Sequence, residues 1–233
     1  MKTTVNSQDL SKSFWHGINF FDGFSPEVLR EILDGAEIVA TTPKKTVFYE
    51  GDPADHFGFV IEGVFKLHRS DQLKNRVIMD FVKSGGLVAG LLMASENTTY
   101  PVSLQSVNSG KFLKIPKATY NNFWCQRPEI IKKFQNANMK RVQSIQTLRD
   151  SQRLPLEQKV AWVLTKLLVD KEENGFQKIY CSRVDIADAV GAASESVIRI
   201  FSKWLKDGVI VQKNGEEYID LNKLNEVLER IIS

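Results

Sequence analysis

The chain has 233 residues, of which 42% are hydrophobic and 25% charged, and its net charge is +3. This length predicts one domain of ordinary size and a smaller second one. No apolar run is long enough to cross a bilayer, and residues 1–13 lack the hydrophobic stretch of an export signal, so we expect a cytoplasmic protein. Cys125 and Cys181 have no partner at metal-ligand spacing, which predicts no metal site and two small buried apolar side chains.

The first half of the chain shows the pattern of a β-rich domain. A helix is predicted over residues 26–34, because Ser25 can cap it and Pro26 suits its first position. Short β-type runs follow, broken by glycine, proline and aspartate, at residues 46–49, 57–61, 64–68, 76–82 and 111–115. This spacing is typical of a sandwich or jelly-roll.

A long helical pattern begins at Pro128 and continues to about Arg153. One stripe of this helix carries Ile131, Phe134, Asn138, Val142, Ile145 and Leu148. Such a stripe favours a partner helix in a homodimer, with Asn138 fixing the register, and packing against the chain's own first domain is the alternative. A hinge is predicted at Leu154-Pro155, since proline restricts the residue before it.

The stretch from Ser182 to Lys206 indicates two short helices joined at a glycine. Ser182 and Asp185 can form a capping box, and Gly191 suits the left-handed conformation in which helices often end. A helix over 156–173 and a strand over 176–180 precede the pair. A hairpin of 209–213 and 217–220, turning at Asn214-Gly215, and a helix over 221–232 follow it. This order predicts a winged helix-turn-helix and an α+β chain.

Glu195 and Arg199 project from neighbouring turns of the second short helix. In a major groove they can read one G·C pair, Arg199 donating to guanine and Glu195 accepting from cytosine. An ordinary intrahelical ion pair is the alternative, and the hinged helix before it favours DNA reading. Residues 127–153 carry a net charge of +5, whereas residues 154–233 carry one of −2. The slightly acidic second segment argues against nonspecific coating of nucleic acid. The candidate DNA contacts are Arg183, Ser194, Glu195, Ser196, Ile198, Arg199 and Lys203.

Two motifs carry a family resemblance: Glu50-Gly51-Asp52-Pro53 followed by residues 59–66, and residues 186–199. With them the chain resembles the Crp/Fnr superfamily of bacterial transcription regulators over nearly its whole length. The resemblance implies an effector-binding β-roll like a cyclic-nucleotide-binding domain (residues 1–126), a dimerisation helix and hinge (127–153) and a winged helix-turn-helix (154–233). It also implies a homodimer that contacts RNA polymerase on a near-palindromic operator with a TGA-like core.

The resemblance leaves the outer bases of the operator open. Ser194 stands where the cyclic-AMP-type members carry an extra reading arginine, and Ile198 stands where the oxygen-sensing members carry a reading serine. Glu195 and Arg199 match the shared readers of a G-A step in each half-site.

The candidate effector pocket departs from the family pattern. Members that bind a cyclic nucleotide use a glutamate for the ribose and an arginine for the phosphate, where this chain has Gly90 and either Tyr100 or Pro101. A buried phosphate without a charged donor forfeits its strongest hydrogen bonds, which argues against cyclic AMP. The candidate pocket residues are Leu87, Gly90, Leu91, Leu92, Thr98, Thr99, Tyr100 and Val102.

The resemblance raises two other cofactors, an iron–sulfur centre and haem. No cysteine cluster precedes Cys125, which argues against an iron–sulfur centre. Haem stays open with His16 as the candidate axial ligand, since His56 and His68 are expected at the surface. An unidentified small molecule, or no ligand, ranks above haem.

Three functions remain in competition. A dimeric transcription factor under effector control ranks first. An effector-binding interaction protein that has lost specific DNA binding ranks second, on the acidic balance after residue 153 and on Ser194. An enzyme ranks last, because no paired carboxylates, phosphate loop or nucleophile–base signature is present in the sequence.

Overall fold

The computed structural model describes residues 2–4, 18–71, 75–151, 153–168 and 175–229. Contacts within the chain group it into two compact units, Met1–Arg69 with Val82–Ile145 and Ser70–Phe81 with Gln146–Ser233. None of the described helices is both long and apolar enough to cross a membrane. His16 and the predicted helix beyond residue 168 lie outside the described residues.

The β-rich half contains nine strands among the described residues. They are β1 Lys2–Thr4, β2 Glu37–Thr41, β3 Thr46–Phe48, β4 His56–Glu62, β5 Val64–Ser70, β6 Arg76–Lys83, β7 Leu87–Val88, β8 Ser103–Ser106 and β9 Gly110–Pro116. One sheet has the order β1-β2-β9-β4-β7 and the other the order β3-β8-β5-β6. The pairs of β2, β4 and β9 run antiparallel. The predicted antiparallel β-roll is confirmed.

Helices flank this roll. They are α1 Pro26–Ile32, the short α2 Lys117–Thr119 with a π-helical turn over Tyr120–Trp124, and α3 Pro128–Ser151. The Ser25 side chain accepts a hydrogen bond from the Val28 amide at 3.4 Å, so the predicted cap of α1 is present. The helix ends at Ile32, two residues before its predicted end.

The larger core of the roll is aromatic. Trp124 is fully buried, stacks on Phe20 at 5.1 Å between ring centroids and donates its indole N–H to the Ile32 carbonyl at 2.9 Å. Phe57 meets Trp124 edge to face at 4.8 Å. β4 is buried along Phe57–Ile61, which explains why its sequence is continuously apolar instead of alternating.

The second unit contains the C-terminal elements, which are α4 Leu156–Leu167, β10 Phe176–Lys178, α5 Arg183–Val190, α6 Ser194–Lys206, β11 Ile210–Lys213, β12 Glu216–Asp220 and α7 Leu221–Glu229. The three strands form an antiparallel sheet in the order β10-β12-β11. Val160, Phe201 and Trp204 are buried in its helical core. The predicted winged helix-turn-helix and the α+β class are confirmed.

The expectation for the cysteines is half correct. Cys181 is buried, as predicted, but Cys125 is exposed. Cys125 follows the π-helical turn and lies in the bend before α3, where the chain runs at the surface. Apolar character alone does not place a residue in a core when its backbone is in an exposed turn.

Candidate nucleic-acid interface

The turn between α5 and α6 is built by local chemistry. The Asp185 amide donates to the Ser182 hydroxyl at 3.1 Å, which opens α5 at the predicted residue. Gly191 ends α5 with φ 68° and ψ 43°, and its N–H bonds to the Ala187 carbonyl. The return bond from the Asp185 carboxylate stays a prediction. α6 then begins three residues after the glycine.

α6 has one buried face and one free face. Val197, Phe201 and Trp204 are 0–2% exposed and pack against the rest of the unit. The Trp204 indole N–H donates to the Glu157 carboxylate at 2.8 Å, which ties α6 to α4. This burial fixes the rotation of α6 about its own axis, so that the opposite face, with Glu195, Arg199 and Lys206, is exposed.

Glu195 and Arg199 are both exposed near the N-terminal end of α6. Among the described residues, no ion pair or side-chain hydrogen bond joins either of them to the rest of the chain. The alternative of an intrahelical Glu195–Arg199 ion pair therefore finds no support. Both charged groups are available to an external partner.

The other candidate DNA contacts have different surroundings. Ser194 and Ser196 are partly exposed in the first turn of α6, and Ile198 is 50% exposed. The Ser202 hydroxyl donates to the Ile198 carbonyl at 2.9 Å. These positions lie on or beside the face that carries Glu195 and Arg199.

Two predicted cationic contacts are already engaged inside the unit. Arg183 donates to the Glu217 carboxylate, and its guanidinium lies 4.2 Å from the centroid of the Phe201 ring. Lys203 donates to both carboxylate oxygens of Glu157, at 3.0 and 3.1 Å. Sequence reasoning missed both acidic partners, since they are 34 and 46 residues away along the chain.

The wing has the predicted hairpin geometry. Asn214 and Gly215 have φ of 52° and 76°, the two positive values that a two-residue hairpin turn requires. Lys213 lies over the Phe176 ring at 4.5 Å, so its ammonium is held against the sheet. The hairpin tip is exposed. It follows α6 in the chain and belongs to the same unit.

The stripe on α3 divides into inward and outward residues. Phe134 is only 3% exposed and contacts the rings of Phe57 and Trp124, so its side chain is used inside its own unit and not on a partner helix. Ile131 packs against the same core. Val142 is partly exposed, Met139 is 58% exposed and Ile145 40% exposed. The Leu148 side chain lies outside the described ones.

A cavity of about 150 Å³ lies between the roll and α3, within the first unit. Its walls are mostly apolar, and they include six of the predicted effector residues: Leu87, Gly90, Leu91, Leu92, Tyr100 and Val102. Thr98 and Thr99 are not in its lining. The Thr98 carbonyl instead accepts the Ala54 amide at 2.9 Å and Thr99 bridges Pro53, which pins this segment to a neighbouring turn.

Sequence reasoning also missed the α3 wall of this cavity, where Asn138 and Arg141 stand. A Cβ placed on Gly90 would come within 2.6 Å of the Asn138 Oδ1 atom and 2.7 Å of a Leu87 methyl carbon. A longer side chain at position 90 therefore requires the Asn138 and Leu87 side chains to shift. Asn138, predicted to set helix register, contacts the cavity.

Tyr100 is one of the two residues, with Pro101, that stand where cyclic-nucleotide-binding members carry the phosphate-binding arginine. It stacks on Phe48 with ring centroids 3.9 Å apart, and its hydroxyl donates to the His56 carbonyl at 2.7 Å. Burial raises the pKa of Tyr100 to about 12, and the neutral phenol offers no positive charge to a phosphate. Neither His56 nor His68 lines the cavity, and the described part of the chain holds no cluster of side chains suited to a metal ion.

The chain matches two family models in series. Residues 39–126 match the cyclic nucleotide-binding domain, and residues 158–227 match the Crp-like helix-turn-helix domain. The nitrogen fixation regulation protein FixK of Bradyrhizobium diazoefficiens is 27% identical over 195 residues, covering 80% of this chain and 79% of that protein. The transcriptional activator protein anr of Pseudomonas aeruginosa is 25% identical over 184 residues, 74% of this chain and 72% of that protein.

Solved structures show the same fold. FixK2 from Bradyrhizobium japonicum superposes with a TM-score of 0.70 at 14% identity, covering 82% of this chain and 96% of that one. A CRP-family transcriptional regulator from Thermus thermophilus gives a TM-score of 0.68 at 16% identity, with 82% of this chain and 96% of that one covered.

A β-roll followed by a winged helix-turn-helix defines a class of DNA-binding transcription regulators, not of enzymes. Within that class, the chain belongs to the Crp/Fnr superfamily.

Proposed function

We propose that the protein is a cytoplasmic homodimer that reads a near-palindromic operator with Glu195 and Arg199 and contacts RNA polymerase from it. The observation that carries the proposal is the state of these two side chains, which are exposed on α6 and joined to nothing else in the described chain. An arginine can donate two hydrogen bonds to guanine, and a glutamate can accept one from cytosine. Each half-site would present a TGA-like core, and two half-sites would lie about one helical turn, roughly 34 Å, apart.

The second copy would join through the exposed side of α3. Met139 and Val142 present apolar surface there, whereas Ile145 also lines the cavity and Phe134 is withdrawn into its own core. We assign residues 1–126 to effector sensing, 127–153 to dimerisation and 154–233 to DNA reading. A change in helix packing would then rotate the DNA-reading unit about Leu154-Pro155, and effector and operator affinities would be linked reciprocally.

A selection on random duplexes tests the DNA-reading proposal. An inverted repeat is expected, and Arg199→Lys should weaken binding by about 5- to 150-fold for each half-site, because lysine keeps the charge but loses the two-pronged contact to guanine. The control is Lys206→Ala, which removes an exposed charge on the same helix and should weaken all sequences alike. Salt-sensitive smearing with no enriched motif would favour the interaction protein that has lost specific DNA binding.

Light scattering tests the dimer. Val142→Glu should give a monomer and abolish binding to the repeat, because a carboxylate would be buried in an apolar helix seam. Lys140→Glu is the matched control, since Lys140 is exposed on another side of α3 and the charge change is larger. A wild-type monomer at working concentration contradicts the proposal.

The effector would be a small molecule other than cyclic AMP. The mostly apolar walls, the neutral Tyr100 and the close packing of Asn138 and Leu87 around Gly90 support this, and Arg141 on the α3 wall is the one charged residue in the described lining. The cavity volume of about 150 Å³ is close to that of an enclosed apolar cavity that takes up benzene, which favours a small ligand over haem. Calorimetry with cyclic AMP should show no heat of binding, and mass spectrometry and absorption spectra of the purified protein should show neither a bound nucleotide nor a Soret band. Any of these signals would overturn the assignment.

A further inference from the structure

Ile198 is an apolar side chain in the middle of a polar surface. It is 50% exposed on α6, three residues after Glu195 and next to Arg199. Its neighbour Val197 belongs to the buried face and is 0% exposed, so the helix has a fixed orientation at this point. A base edge that meets Glu195 and Arg199 therefore also meets Ile198 or lies one base pair from it.

The chemistry of isoleucine restricts what it can recognise. Its side chain neither donates nor accepts a hydrogen bond, so it cannot distinguish bases by their pattern of donors and acceptors. In the major groove the distinguishing apolar group is the 5-methyl of thymine. Covering any other base edge with Ile198 would displace water from polar atoms without replacing their hydrogen bonds.

We infer that Ile198 packs on the 5-methyl group of a thymine in the base pair beside the G·C pair read by Glu195 and Arg199. The inference rests on the proposed DNA-reading function and names the residue and the chemical group by which one thymine of the TGA-like core is recognised. Ile198 is then a residue that determines specificity and carries no charge. The same contact gives its exposed surface an apolar partner in the complex.

Replacing thymine by uracil tests the contact, because uracil pairs identically and lacks only the methyl group. In the operator obtained by selection, each thymine is replaced in turn and the Kd is measured by fluorescence anisotropy. At one position per half-site we expect the Kd to rise about fourfold, and about sixteenfold when both half-sites are changed. The remaining positions should change by less than about twofold.

The matched variants assign that methyl group to Ile198. In Ile198→Ala the ratio of the Kd for uracil to the Kd for thymine at this position should fall to about one. Ile198→Val should retain most of the fourfold ratio. Glu195→Gln should weaken binding overall but leave the fourfold effect in place. Because Ile198 is half exposed, all variants should melt within a few degrees of the wild type.

Two failures are distinguishable. A selected repeat whose affinity is insensitive to uracil, or whose sensitivity persists in Ile198→Ala, overturns the inference and leaves the DNA-reading proposal standing. Failure to select any sequence overturns both.

Discussion

Gly191, which ends α5 and positions α6, can be tested by substitution because its surroundings isolate one physical effect. Its φ is 68°, in the left-handed region, and a Cβ built on it would have no atom within 4 Å. A side chain at this position would therefore meet no steric obstacle beyond its own backbone. The left-handed conformation costs an ordinary residue about 1–2 kcal/mol. We expect Gly191→Ala to lower the free energy of unfolding of this unit by about 1 kcal/mol.

Two further substitutions at Gly191 test whether the loss of stability comes from the left-handed backbone conformation. Gly191→Asn should cost less than Gly191→Ala, because asparagine adopts this conformation more readily, and Gly191→Val should cost more, because it is β-branched. Urea unfolding followed by the fluorine resonance of 5-fluorotryptophan at Trp204, which is fully buried in α6, reports on this unit alone. Wild-type stability in Gly191→Ala, or a larger loss in Gly191→Asn than in Gly191→Val, would refute the reasoning.

Three other outcomes are expected. Burial holds the phenol proton of Tyr100, with its pKa raised to about 12, more tightly in the folded state than in the unfolded chain, where the pKa is near 10. This stabilisation is complete below pH 10 and is lost as the pH rises towards 12, so urea midpoints should fall across that range, and less steeply in Tyr100→Phe. Gly90→Glu should lower the free energy of unfolding by about 1–3 kcal/mol, because the Asn138 and Leu87 side chains must shift, and it should not create cyclic-AMP binding; thermal melting measures the first effect and calorimetry the second. Phe134→Ala should lower the free energy of unfolding by about 3–5 kcal/mol, measured by thermal unfolding. Met139→Ala, at a 58% exposed position, should leave the melting temperature nearly unchanged and weaken dimerisation instead.

Features governed by local chemistry were predictable from the sequence. Ser25 and Ser182 cap helices, and Gly191 and Asn214-Gly215 adopt positive φ, because each depends on residues within four positions. The order of elements then indicated the fold, since two short helices joined at a glycine and followed by a tight hairpin are typical of a winged helix-turn-helix.

Features governed by distant contacts were not predictable. The period of α3 shows which residues share a stripe but not what covers it, so the burial of Phe134 in its own unit could not be separated from burial in a dimer. Arg183 and Lys203 looked like free cations because Glu217 and Glu157 are far away in sequence. The family resemblance places Thr98 and Thr99 in the stretch that corresponds to the phosphate-binding segment, whereas contacts with the turn at Pro53 and Ala54 direct these two residues away from the cavity.

The internal pairing of Arg183 with Glu217 and of Lys203 with Glu157 has a consequence for how the protein finds its target. If these two pairs persist on DNA, Arg183 and Lys203 would displace few condensed ions from a duplex, and binding to arbitrary sequence would be weaker and less dependent on ionic strength than the count of basic residues suggests. Recognition of a promoter would then depend more on the bases that the exposed face of α6 meets than on attraction to the phosphates.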